Sequence, residues 1–310
     1  APYVIAYWRQ NLESFLDAII HTLNYFGGVP RSIIFDNARV AVKSGFGAHA
    51  AAQDDYSKLA AHYGFQPIFC NPASGNEKGL VENLVGYIRR NVCVPLPQVD
   101  SLEDLNTKLL EQCAKYLNHK IDGRSQEVGK MLAEDQAHLH PLPKYVLDIS
   151  KKAYPKVNRY STVLFDTNYY SVPCKYRGKD ATVKAYPNEV EIWINGLLVA
   201  THDRCMGRKQ ESLDLRHYLP ILERKGRAIR YARPVLNAVP AEFLNWMEKQ
   251  HLNSKQMVEL LEQCLTDGYL AVMQRDLPTP DTSIAKNDVP VLSVDLSQYD
   301  KLYERKGAAS

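Results

Sequence analysis

The hydrophobic period of this chain changes near residue 160, and that change limits the folds open to it. Upstream, short continuous apolar runs alternate with apolar residues spaced three and four apart, the marks of strands and amphipathic helices in turn. Downstream, apolar residues fall on every second position in short runs, the pattern of half-buried strands. A sequence built this way folds as an α/β unit followed by a β-rich one.

The upstream order is strand, helix, strand, helix, strand, helix, which implies at least some parallel strands. Residues 3–8 are aromatic and β-branched. Leu12, Phe15, Leu16, Ile19, Leu23 and Phe26 then form a helical stripe, stopped by Gly27-Gly28-Val29-Pro30. Ser32-Ile33-Ile34-Phe35-Asp36 is the second strand. A Gly-containing loop leads to a helix over 53–63, with Tyr56, Leu59, Ala60 and Tyr63 on one face, and residues 66–70 form the third strand. Beyond the turn-rich Asn71-Pro72-Ala73-Ser74-Gly75-Asn76, a helix buries Val81, Leu84, Val85 and Ile88. Two more helices follow, one capped by Ser101 and one over 125–138. Five short strands occupy 163–165, 169–172, 181–186, 190–194 and 197–200, with turns at Pro187-Asn188 and Asn195-Gly196. Asn-Gly between apolar runs is a hairpin signal, and the whole reads as a small β-barrel. Helices resume from His217 to Met273. The expected organisation is an α/β part over 1–95, helices over 96–145, the barrel over 146–212, helices over 213–275 and a flexible tail over 276–310. Val291, Leu292, Val294, Leu296, Tyr299, Leu302 and Tyr303 return apolar anchors to that tail. It either folds onto the chain's own helices or orders on a partner.

No apolar run approaches the length of a membrane span, and no signal peptide is visible. The six cysteines show no CxxC spacing and mostly sit in apolar company, which predicts buried, reduced thiols in a cytosolic protein. The net charge of +3 hides an asymmetry: residues 151–232 carry 16 Lys and Arg against 8 Asp and Glu, and the remainder is net acidic. That segment is suited to a polyanion.

Two carboxylates, 46 positions apart, carry the candidate chemistry. Asp36 ends the second strand and Glu82 sits on the third helix. Each has an ordinary reading alone: an Asp after a strand starts a turn, and a Glu on an amphipathic helix faces water. Together, a strand-end Asp and a later helical Glu can converge on hard divalent cations, which take oxygen ligands, and two such ions run phosphoryl transfer. Lys78, Glu82, Gly86 and Arg89 share a helix face. It is either a solvated charged face or a ligand flanked by cations where a phosphate approaches.

The runs Ile33-Ile34-Phe35-Asp36-Asn37-Ala38, Asn71-Pro72 and Lys78-Gly79-Leu80-Val81-Glu82-Asn83 resemble the DDE transposases and retroviral-type integrases, closest to IstA-like insertion-sequence transposases. The resemblance extends from residue 1 to about 232. It implies an RNase H-like catalytic core with Asp36 and Glu82 as catalytic metal ligands. It also implies two Mg²⁺ (or Mn²⁺) ions, and a barrel like that of Mu-type transposases. Lys78, Arg89 and Arg90 are the expected phosphate contacts near the site; Lys175, Arg177, Lys179, Lys184, Arg204, Arg208 and Lys209 are those of the barrel. The implied partners are double-stranded DNA, further copies of the protein and a helper AAA+ ATPase, in the bacterial cytosol with no membrane association. One departure stands out. The family's first catalytic Asp lies on its first strand, yet Glu13 and Asp17, both in the first helix, are the only acidic residues before Asp36. The expectation is a chain that begins inside the catalytic domain and is inactive alone. The alternatives are a non-catalytic fragment that binds DNA or docks the ATPase, and a metal-free scaffold.

Other signals are weaker. His138 and His140 lack partners at zinc spacing. No GxGxxG or P-loop occurs. Ser161, Ser171 and Ser212 lack nucleophile-elbow context. Tyr169, Tyr170, Tyr186 and Trp193 read as core and rim.

Overall fold

A computed structural model describes residues 1–35, 42–44, 51–52, 54–69, 86–87, 89–90, 94 and 98–275. The chain divides into two compact units, Ala1–Ile221 and Leu222–Ser310. Among the described residues no helix is long and apolar enough to cross a membrane.

The first unit opens with α1 (Leu12–Phe26). Asn11 caps it by accepting a hydrogen bond from the Ser14 amide at 2.9 Å. Gly27 ends it at φ +75°, a left-handed conformation that favours glycine. Strands β1 (Ser32–Phe35) and β4 (Gln66–Phe69) pair in parallel, from Ser32↔Gln66 to Phe35↔Phe69. Between them lie the antiparallel pair β2 (Val42–Ser44) and β3 (Ala51–Ala52), then α2 (Asp54–Tyr63). Leu16, Ile20 and Leu23 of α1 meet Tyr56 and Leu59 of α2 in one core. Tyr56 is fully buried, edge-on to Phe35 at 5.3 Å between ring centroids. The expected mixed α/β arrangement with a parallel pair is therefore present.

Residues 3–8 differ from expectation: they form no strand. The backbone of Ala6 is met by a side chain instead of a sheet partner. The Ala6 amide donates to Asn106 Oδ1 at 2.7 Å, Asn106 Nδ2 donates back to the Ala6 carbonyl at 3.2 Å, and the Tyr7 hydroxyl donates to Asp17 at 2.7 Å. Asn106 belongs to α3 (Leu102–Tyr116), whose cap is Ser101 as expected, accepting from the Asp104 amide at 3.0 Å. After α4 (Val128–Gln136), His140 pairs backbone to backbone with Val29 at 2.8 and 2.9 Å. That crossing leaves no room at Gly28, where a Cβ would fall 2.6 Å from Leu139 Cβ.

The β-rich part has seven strands in two sheets. The first is β10 (Leu197–Asp203), β9 (Glu189–Ile194), β8 (Thr182–Ala185) and β5 (Lys151–Ala153), all antiparallel. The second is β11 (Glu211–Ser212), β7 (Asn168–Ser171) and β6 (Thr162–Phe165). Val163, Phe165 and Tyr170 of one sheet and Val183, Val190, Ile192 and Ile194 of the other share a core. The Asn195-Gly196 turn is as expected, with φ of +51° and +77°. The β6–β7 turn repeats that geometry with Asp166 and Thr167, at φ +44° and +68°. Strands β5 and β11 were not expected, because short polar stretches such as Lys151-Lys152 and Glu211-Ser212 carry no alternating apolar signal.

Helix α5 (Leu219–Arg224) ends the first unit and begins the second, which continues with α6 (Arg233–Ala238), α7 (Ala241–Lys249), α8 (Ser254–Asp267) and α9 (Tyr269–Met273). Asn253 and Gln256 form a reciprocal capping box on α8. Val235, Phe243, Met247, Leu261 and Val272 are among the buried apolar residues of the second unit. The four described cysteines, Cys113, Cys174, Cys205 and Cys264, are all free thiols, and burial pushes Cys264 up to about 11. The tail over 276–310 lies outside the described residues.

Candidate nucleic-acid interface

Asp36, Glu82 and Lys78 lie outside the described residues; β1 is described up to Phe35, and Arg89 and Arg90 are exposed. Among the described residues, no group of three or more His, Cys, Asp or Glu side chains could hold a metal.

The basic residues of the β-rich part separate into three environments. Lys175, Arg177 and Lys179 are exposed on the segment between β7 and β8. The fold lays that segment along residues 154–161. The Val157 amide donates to the Lys179 carbonyl at 2.9 Å, the Gly178 amide to Val157 at 3.0 Å and the Ala181 amide to Pro155 at 2.9 Å. Lys156 and Arg159 on that neighbouring segment are exposed too, as are Tyr154 and Tyr160 at 75% and 64%. Asp180 is the one carboxylate within these two segments. Such a surface, cations interleaved with open aromatic rings, suits a phosphate backbone. Lys156 and Arg159 were counted in the basic segment but not singled out, because nothing local announces that two loops will meet.

Arg208 and Lys209 are exposed on a second loop, anchored by the buried Asn168, whose amide donates to the Gly207 carbonyl at 3.1 Å.

Lys184 and Arg204 serve internal contacts. Lys184 is half-buried, 3.0 Å from Asp148 and above the Trp193 ring. Burial alone would raise the Asp148 carboxyl, but its bonds to Ser150, Lys184 and Lys152 hold it well below the usual range. The Arg204 side chain is only 3% exposed. Its guanidinium donates to Asp166 at 3.0 Å and to the Tyr186 carbonyl at 2.8 Å, and lies 3.8 Å from Glu13. A buried, doubly compensated guanidinium is closed to DNA. This corrects the expectation for Arg204.

Beneath β7 and β10 lies a buried polar cluster. His202 Nε2 donates to the Ser171 carbonyl at 2.6 Å, and its Nδ1 accepts from the Ser212 hydroxyl at 3.0 Å. Ser171 Oγ accepts from the Asp214 amide at 2.8 Å and donates to His217 Nδ1, also at 2.8 Å. Ser171, His217 and Asp214 look like a hydrolytic triad in sequence type only: the hydroxyl is fully buried, already accepts the Asp214 amide, and serves as a pin. Burial lowers His202 and takes His217 down to about 4, against the opposing pull of Asp214. The unfolded chain therefore binds more protons than the folded one between pH 6.5 and 4. Stability is complete above 6.5 and lost as pH falls through that window, by on the order of 2 kcal/mol at pH 5. The urea midpoint is expected to fall between pH 7.5 and 5, and His217→Gln should flatten that slope. An unchanged midpoint would refute the neutral buried pair.

Comparison with known proteins adds to this geometry. Residues 142–214 match the family model for the Mu transposase C-terminal domain. The chain is 31% identical over 283 residues to a transposase of Aminobacter aminovorans, covering 87% of this chain and 55% of that protein. It is 31% identical over 277 residues to the transposase for insertion sequences IS1326/IS1353 of Pseudomonas aeruginosa, covering 86% of this chain and 54% of that protein. To the IS21 transposase of Pseudomonas aeruginosa it is 28% identical over 221 residues, covering 71% and 57%. The chain spans about half the length of the curated relatives it matches.

Proposed function

This chain belongs to the insertion-sequence transposases of the IS21 and IS1326 type, and from that premise we propose that the intact protein moves a DNA element by strand cleavage and strand transfer. What supports its contact with DNA most is the exposed basic face of residues 154–161 and 173–181, inside the segment similar to the Mu transposase C-terminal domain.

The resemblance makes Asp36 and Glu82 the catalytic carboxylates, and their oxygen donors are of the kind that hard divalent ions select. Mg²⁺ or Mn²⁺ held by Asp36 and Glu82 would supply activation of the attacking oxygen and stabilisation of the leaving oxygen. Lys78, Arg89 and Arg90 hold phosphates beside that site. Water cuts a phosphodiester at the element's end and leaves a terminal hydroxyl. That hydroxyl attacks a phosphodiester of target duplex DNA, so one bond forms as another breaks and no covalent enzyme intermediate arises. Several copies of the protein hold paired ends, with a helper AAA+ ATPase, on DNA in the bacterial cytosol.

The β-rich domain grips duplex DNA through phosphates. Each phosphate neutralised contributes about −0.9 to the slope of log affinity against log salt. Replacing Lys175, Arg177 and Lys179 by Ala should flatten that slope by up to about 3 and weaken all sequences alike. A wild-type slope in the triple variant would assign this face to protein contact instead.

A further inference from the structure

We propose that the cleft between Tyr154 and Trp193 receives an unpaired nucleobase, so that this domain takes single-stranded DNA as well as duplex. The inference rests on the DNA-binding reading above and assigns one part of that surface.

The cleft has a volume of about 330 Å³, at the lower end of the range for ligand sites. Its walls are Tyr154 from the loop after β5, Thr182 and Lys184 of β8, and Trp193 of β9, with Asp180 and Asn195 at its edges. The indole is fixed in place: its Nε1 donates to Glu191 at 2.7 Å, and Lys184 Nζ sits 5.2 Å from the ring centre. Lys184 is itself held by Asp148 at 3.0 Å. Trp193 is therefore a platform built on paired strands, with little rotamer freedom left to lose on binding. Tyr154 is 75% exposed, so its ring is open to a second stacking contact.

Charge around the cleft distinguishes a base from a phosphate. Lys184 lines the cleft itself, while Lys156, bridged backbone to backbone with Asp180, and Lys179, next to it in the chain, are exposed cations near enough in the chain to meet a sugar-phosphate backbone. At the edge, a carboxylate such as that of Asp180 repels a phosphate but can accept a hydrogen bond from an exocyclic amino group, as carboxylates do with cytosine. The Asn195 amide adds one donor and one acceptor. In a duplex both faces of each base are stacked on neighbours, so only an unpaired base can enter. Flanking cations with aromatic platforms are the means by which single strands are held.

The test is fluorescence anisotropy on the 310-residue chain. A short labelled oligo-dC strand is compared with a duplex of equal length at one salt concentration. Stacking of one base is worth roughly 5- to 150-fold in affinity. Trp193→Leu and Tyr154→Ala should each weaken single-strand binding by about tenfold or more, and Trp193→Leu, outside the basic face, should leave duplex affinity within about twofold. Tyr154 is too exposed for its loss to unfold the domain, so that variant keeps the test sound if Trp193→Leu is destabilised. Single-strand affinity unchanged in both variants overturns the cleft assignment, as does a wild-type chain that binds no single strand; an apolar peptide then becomes the better occupant. In both cases duplex binding still weakened by the Lys175, Arg177 and Lys179 triple replacement leaves the phosphate grip standing. Duplex binding indifferent to that replacement overturns the grip as well.

Discussion

Asp36→Asn or Glu82→Gln in the intact transposase is expected to lower strand cleavage and strand transfer by about 10³-fold or more, as the loss of one pre-arranged catalytic electrostatic group does, with DNA affinity within about twofold. Each change removes one negative charge and alters shape little. The size of the effect separates the two readings of these residues. A turn-starting Asp or a solvated helical Glu is a surface position, and such substitutions shift stability by no more than about 0.5 kcal/mol. That would leave rates near normal. A carboxylate that holds a divalent ion cannot be lost so lightly, because the ion is the largest charge at the reacting phosphate. The measurement is a strand-transfer assay on element-end DNA in Mg²⁺, with melting temperature as a control on folding. Near-normal rates for either variant would remove that residue from the active site.

Local rules carried the sequence reading furthest where they act alone. The Ser101 cap, the Asn195-Gly196 turn and the stripes of α1 and α2 depend on neighbours within a few positions, and all are present. Parallel pairing of β1 with β4 followed from strand–helix order. Several of the losses trace to a partner distant in sequence. Residues 3–8 have strand composition, but the Asn106 side chain, 100 positions away, takes the backbone of Ala6. The Asp166-Thr167 turn holds a β-branched residue at φ +68°, which turn preferences disfavour. The same Asp166 supplies a carboxylate to Lys151 and Arg204. Composition placed Arg204 on a basic surface and could not show that Asp166 and Glu13 would enclose it. For the basic face the reverse holds: the charge count was legible, and only the pairing of residues 154–161 with 173–181 turned it into a surface.

Arg204→Met should destabilise the first unit by about 3–5 kcal/mol, the cost of leaving buried charge uncompensated, and lower the melting temperature by on the order of 10 °C. Arg204 joins α1 to the β-rich part. Its guanidinium reaches Glu13 on α1, Asp166 in the β6–β7 turn and the Tyr186 carbonyl, while it stacks over Phe165 at 5.7 Å. Arg9 reinforces the same junction by donating to the Met206 carbonyl. Methionine fills similar space but leaves Glu13, itself buried, and the more exposed Asp166 without their shared cation. Lys151 still neutralises Asp166, 2.9 Å away, so most of the penalty falls on Glu13. Glu13→Gln added to Arg204→Met should therefore recover part of the loss, with a coupling above about 1 kcal/mol for residues in one network. A surface arginine that touched DNA would behave oppositely: its replacement would weaken DNA binding and shift stability by less than about 0.5 kcal/mol. Urea unfolding and DNA titration of the same variant separate the two. Lost DNA affinity with unchanged stability would return Arg204 to the DNA surface, whereas lost stability that Glu13→Gln partly restores makes it the bolt between α1 and the β-rich part.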